Sequence, residues 1–143
     1  MDSPRKQLVG LFYAEVWDKH DKSKIPSILH DDFAFRASLG PVRRGHAGFI
    51  AYLDWLLSIL SKYRSDIHSL TEEGDVIAAR LTFSGDHTGA ELFGFAPTGK
   101  RISWNGAAFF TFRGERVADL WVLGDVHGII EQLNETSKTD SSQ

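Results

Sequence analysis

The apolar residues of this chain change period once, near residue 64, and that change limits the folds open to it. Before it, Leu8, Phe12 and Val16, flanked by Val9, Tyr13 and Trp17, recur three or four apart. They follow the helix-opening pair Ser3-Pro4 and continue to about His20. A second stripe of Phe49, Leu53, Leu56 and Leu60, widened by Tyr52, Ile59 and Tyr63, predicts a helix over 45–63. Between the two lie a short helical turn after Pro26 and an edge-like strand from about Phe33 to Ala37, broken by Gly40-Pro41. After residue 64 the pattern alternates. Strands are expected near 65–72, 75–85, 89–95, 101–113 and 116–124, separated by turns rich in Gly, Pro and charge. Helices first and a meander afterwards make an α+β domain, with about three N-terminal helices on one face of an antiparallel sheet.

A sheet covered on one side has one apolar and one polar face. Here Ile102, Trp104, Ala108, Phe110 and Phe112 share a face, yet Ala107 and Phe109 dilute the other. In 117–123 both faces are apolar, with Val117, Trp121 and Leu123 opposite Ala118, Leu120 and Val122. The simplest cover for a second apolar face is another copy of the chain, so a homodimer through the outer sheet face is expected. The 143 residues suit one domain, taken as 1–133, with a polar tail, 134–143, expected to be disordered. A net charge of −3 gives no general attraction for nucleic acid or anionic membrane, and no apolar run approaches a membrane span. There is no cysteine, which excludes disulfides, thiolate catalysis and Cys-ligated zinc. "MDSPRKQL" has no apolar signal stretch, so the cytoplasm is the expected location.

Two residues raise a chemical question. Asp125 follows the apolar strand "LWVLG", where an ionised carboxylate is costly to desolvate. It is either a solvated residue that ends the strand and caps the next helix, or an acid/base group tuned by burial. His87 has the strand parity of Ile77, Ala79, Leu81 and Phe83 and so falls on an apolar face, unless Gly85 hosts a bulge. It is either a satisfied core histidine or a pocket group. The Tyr13 phenol could donate to an oxyanion or merely fill core. His30-Asp31-Asp32 with a distant histidine would make a weak iron-type triad, and no phosphate loop or dinucleotide fingerprint is present.

Four stretches carry a family resemblance: "LHDDFAF", "RRGHAGFIAYL", "GDHTGAELFGFAPTGKRI" and "RVADLWVLGDVHGIIEQL". Together they resemble the SnoaL-like polyketide cyclases of the nuclear transport factor 2-like (cystatin-like) superfamily. The resemblance implies a cone, a curved antiparallel sheet wrapped around the helices, with a pocket in its open end. It implies an enzyme of the lyase or isomerase kind, dimeric, needing no cofactor and no metal. Its partner would be a small hydrophobic carbonyl compound or polyketide-like ligand, ring-closed by aldol chemistry. Asp125 would be the acid/base and His87 its assistant, with Tyr13, Trp17, Trp104, Phe110 and Trp121 lining the substrate site. The competing expectation is a module that holds a small apolar ligand without transforming it. Ketosteroid isomerases share the cone, but this sequence has Ala37 and Ala108 where they carry carboxyl groups, which argues against steroid isomerisation.

Overall fold

The computed structural model describes residues 3–38 and 41–141. Ser3 opens α1 (Pro4–Leu11) by accepting the Lys6 N–H on its hydroxyl, as its sequence position predicts. The helix then widens into a π-helical turn, Phe12–Trp17, in which the Asp18 N–H donates to the Tyr13 carbonyl five residues back. That ends the element earlier than the expected His20, which has a φ of 57°. A short 3-10 turn (Lys22–Lys24) and α2 (Ile25–Ile28) lead into β1 (Leu29–Arg36). After the two-residue β2 (Arg43–Arg44) comes α3 (Gly45–Ile59). Four long strands follow: β3 (Leu60–Glu73), β4 (Val76–His87), β5 (Arg101–Arg113) and β6 (Arg116–Gly124), before α4 (Val126–Ser141).

The six strands form one sheet in the order β2-β1-β6-β5-β4-β3, antiparallel except where β1 runs parallel to β6. The sheet is curved and unclosed. Register shifts bend it, at Ser61/Arg64 and Ile67/Ser69 on β3 and at Thr111/Phe112 on β5, because an extra residue on one strand tightens the local twist. Its concave face packs on α1 and α3 through Val9, Phe12, Val16, Phe49, Leu53 and Ile59, all almost fully buried.

Three expectations need correction. The long helix stops at Ile59, and Leu60 and Tyr63 lie on β3, whose first residues happen to continue the helical spacing. Residues 89–95 are not a strand. They form a loop whose tip is a two-residue turn, Leu92 and Phe95 exchanging backbone hydrogen bonds of 2.9 Å around Phe93-Gly94. In β6 the register shift puts Val117, Leu120 and Val122 inward and turns Asp119, Trp121 and Leu123 outward, so its parity differs from the simple alternation read from sequence. The polar segment after Leu133 continues α4 as far as Ser141. Residues 142–143 lie outside the described residues.

Candidate functional site

The wide end of the cone holds an aromatic chamber. Its inner part, about 50 Å³, is walled by residues from the π-helical turn, α3 and the concave sheet face, among them Tyr13, Trp17, Tyr52, Tyr63, Phe83 and Trp104. The rings touch in two chains. Tyr13 meets Phe83 at 6.1 Å between centroids and Phe83 meets Trp104 at 5.6 Å. Trp17 meets Tyr63 at 5.3 Å and Tyr52 at 6.1 Å, and Tyr52 meets Trp55 at 5.6 Å. An outer part of about 90 Å³ shares Ser38, Tyr52, Leu56 and Trp104 with the inner one and adds Trp55, Leu92, Phe93, Val126 and Ile129. The two adjoin at those four shared residues. A larger depression, about 980 Å³, lies at the other end of the strands around Arg5, Glu72, Arg113 and Arg116. It is charged, and Arg5 and Arg113 are already paired with Asp75 and Asp32, so size alone does not make it the site.

The π-helical turn matters to the chamber. It carries Tyr13 and Trp17, four apart and nearly buried, both toward the hollow. Burial pushes the Tyr13 phenol far above its ordinary value, and also raises those of Tyr52 and Tyr63, because phenolate loses its hydration there. All three therefore stay protonated donors at neutral pH. No described residue hydrogen-bonds to the Tyr13 hydroxyl, and its ring lines the inner chamber. A donor facing a hollow lined by rings is a place for a ligand oxygen.

Asp125 follows β6 at the rim of the outer chamber, between Gly124, which abuts Trp104 and Ser38, and Val126, which lines it. Its side chain is exposed, and Oδ1 accepts the Gly128 N–H at 2.9 Å, capping α4. It occupies the capping position. His87 is fully buried on the apolar face that its parity predicts, with Gly85 in register with Ile102 and no bulge. Both ring nitrogens are engaged. Nε2–H donates to the Ala90 carbonyl at 2.9 Å, and Nδ1 accepts the Thr98 N–H at 3.2 Å. The ring ties the 88–100 loop to β4 and lines neither chamber.

Of the other residues picked out from sequence, Tyr13, Trp17 and Trp104 line the inner chamber. Phe110 is core, packed edge-on behind Tyr13 at 5.9 Å. Trp121 lies on the convex face, against Phe109 and under the Arg36 guanidinium, because of the β6 register shift. His30 donates to the Arg113 carbonyl and Asp32 pairs with Arg113, far along the sheet from His87; among the described residues no three metal-type side chains converge. Sequence reading missed Tyr52, Tyr63, Phe83 and Phe93. Tyr63 was hidden by its helix-like spacing, and Phe93 by the strand-like look of "ELFGFA".

A family model for the SnoaL-like polyketide cyclases matches residues 7–133. Among curated proteins none matches. Solved structures do. A candidate polyketide cyclase from Acidithiobacillus ferrooxidans is 22% identical, with a TM-score of 0.84 over 95% of this chain and 98% of that one. TsrD from Streptomyces laurentii is 27% identical, with a TM-score of 0.80 over 93% and 97% of the two chains. A protein from Catenulispora acidiphila with a ketosteroid isomerase-like fold is 12% identical, with a TM-score of 0.75 over 90% and 92%. The cone, the chamber at its open end and the matched stretch agree: the chain belongs to the SnoaL-like polyketide cyclase family, within the nuclear transport factor 2-like fold.

Proposed function

We propose that the chamber binds a small, hydrophobic, carbonyl-bearing compound, polyketide-like in chemistry, and that the Tyr13 phenol donates a hydrogen bond to its oxygen. The observation that carries this is the Tyr13 hydroxyl, on a ring that lines the inner chamber and without a hydrogen-bond partner among the described residues. Such a donor polarises a carbonyl and stabilises the enolate oxygen that forms when a proton leaves the adjacent carbon. Size sets a limit. At roughly 10–15 Å³ per water the inner part holds only a few waters, far less than the roughly 150 Å³ cavity in which benzene binds. A ring-bearing ligand must therefore span both parts.

An aldol-type ring closure also needs a base. The cyclase reading gives that role to Asp125, supported by its place on the rim; the carbon it serves would stand at the mouth, in contact with water. A second reading, capture without transformation, is favoured by one observation. Neither carboxylate nor imidazole lines either chamber. The shared part of the two readings is tested by titrating 2-acetylnaphthalene into the protein and following tryptophan emission, since Trp17 and Trp104 line the site. Saturable quenching is expected, about tenfold weaker in Tyr13→Phe, the worth of a hydrogen bond of roughly 1.4 kcal/mol. Asp125→Asn keeps the cap and is expected to bind as the parent does. No saturable binding, or equal binding by Tyr13→Phe, contradicts the proposal. The homodimer remains part of it, supported by the apolar convex face around Phe109, Trp121 and Leu123.

A further inference from the structure

The loop between β4 and β5 carries a residue that neither turn chemistry nor core packing explains. Phe93 has a φ of 50° and is followed by Gly94 at 86°, so both central residues of the Leu92–Phe95 turn are left-handed. That pattern selects Asn, Asp or Gly first and Gly second; an aromatic in the first place is strained. Burial does not repay it in full, since Leu92 beside it is 4% exposed whereas Phe93 is 39% exposed. The conformation persists because both ends of the loop are fixed. His87 holds Ala90 and Thr98, the Gly89 N–H donates to the Ile59 carbonyl at 3.0 Å, and the Gly99 N–H donates to the His87 carbonyl at 2.8 Å. Strain maintained by its surroundings at the edge of a cavity points to use.

Trp55, on α3, lines the same outer chamber; it is 48% exposed and its ring rests against that of Tyr52. Phe93 and Trp55 line the same hollow and make no ring contact with each other. We infer that Phe93 and Trp55 are the jaws of a clamp for a planar conjugated ring, the outward end of a ligand whose carbonyl oxygen reaches Tyr13. This rests on the binding reading above and adds to it a preference for flat substrates. It follows from the small volume of the inner part, because a ligand too large for it must present its remaining rings here. Flat faces between aromatic side chains gain offset stacking that a puckered ring of equal hydrophobicity does not.

Calorimetric titration of the whole chain with 2-acetylnaphthalene and with its saturated analogue, 2-acetyldecalin, tests this. The parent is expected to bind the planar ketone at least fivefold more tightly than the puckered one. Phe93→Asn and Trp55→Leu should each reduce that ratio toward one by weakening the planar ligand alone. Phe93→Asn should do so without lowering Tm, since Asn suits the left-handed position; a residue kept for packing would lower Tm and leave the ratio unchanged. A ratio near one in the parent, or a ratio retained in both variants, overturns the clamp while the Tyr13 reading stands. Absence of binding for either ketone in the parent overturns both.

Discussion

Tyr13, Tyr52 and Tyr63 are all the tyrosines in the chain, and every one of them lines the inner chamber. This makes the chamber visible to a simple spectroscopic titration. Each phenol has a folded pKa raised by burial above the unfolded value near 10. The folded state then holds protons that the unfolded state releases, so stability is fully present below about pH 10 and falls as pH rises beyond it. Absorbance at 295 nm should therefore show no free tyrosinate step before unfolding; phenolate should appear together with the loss of tertiary structure. A separate step near pH 10 in the folded protein would place a phenol in water. At the same scale, Tyr13 was legible because a helix face gives its direction, whereas the direction of Asp125 was not. The end of a strand fixes where a carboxylate stands, but a free N–H of the next helix, here that of Gly128, decides which way it turns.

At the scale of elements, the mouth is held by the docking of α4. β6 ends at Gly124, and beyond it the backbone of Ser103 on β5 would lack a partner strand. Gln132 supplies one: its Oε1 accepts the Ser103 N–H at 2.9 Å, and its Nε2 donates to the Ser103 carbonyl at 2.6 Å. Gln132→Ala hands both groups to water and should lower stability by about 1 kcal/mol in urea unfolding. Because Val126 and Ile129 on α4 wall the outer chamber, ligand release should also quicken. An unchanged midpoint would mean that the glutamine does not anchor the helix. The strands around this junction were readable from alternation, since β4 and β5 run in unbroken register from Val76↔Thr111 to Asp86↔Arg101. The loop before it was not. "ELFGFA" has the composition of a strand, but the N–H groups of Gly89 and Ala90 just before it are taken by the Ile59 and Ser58 carbonyls at the end of α3, and the turn at Phe93-Gly94 reverses the chain at once. Tyr63 and Leu60 were lost to the helix for a related reason: the chain passes from α3 to β3 with no intervening residue, so no turn signal marks the change.

For the whole molecule, the convex face is the part that the single chain leaves unfinished. Phe109, Trp121 and Leu123 are 39%, 38% and 44% exposed and adjoin across β5 and β6. Arg36 lies over Trp121, and a polar line from His68 through Thr82 to Asn105 crosses the convex face on β3, β4 and β5. A contiguous apolar patch rimmed by polar groups fits a self-complementary interface. Sedimentation equilibrium at micromolar concentration should give twice the 16.0 kDa chain mass, and Trp121→Glu should return it to one. A parent protein that sediments as a single chain would contradict the dimer and leave the chamber untouched.

The chamber's central claim is that a protonated, buried phenol at residue 13 meets a ligand oxygen. Carbon-13 NMR of protein labelled at tyrosine Cζ reads it most directly, because only three resonances exist and single Tyr→Phe variants assign them. Adding 2-acetylnaphthalene should move the Tyr13 signal while it keeps the position of a protonated phenol. A ligand that binds without moving that signal, or a Tyr13 signal already at the phenolate position at neutral pH, would contradict the account.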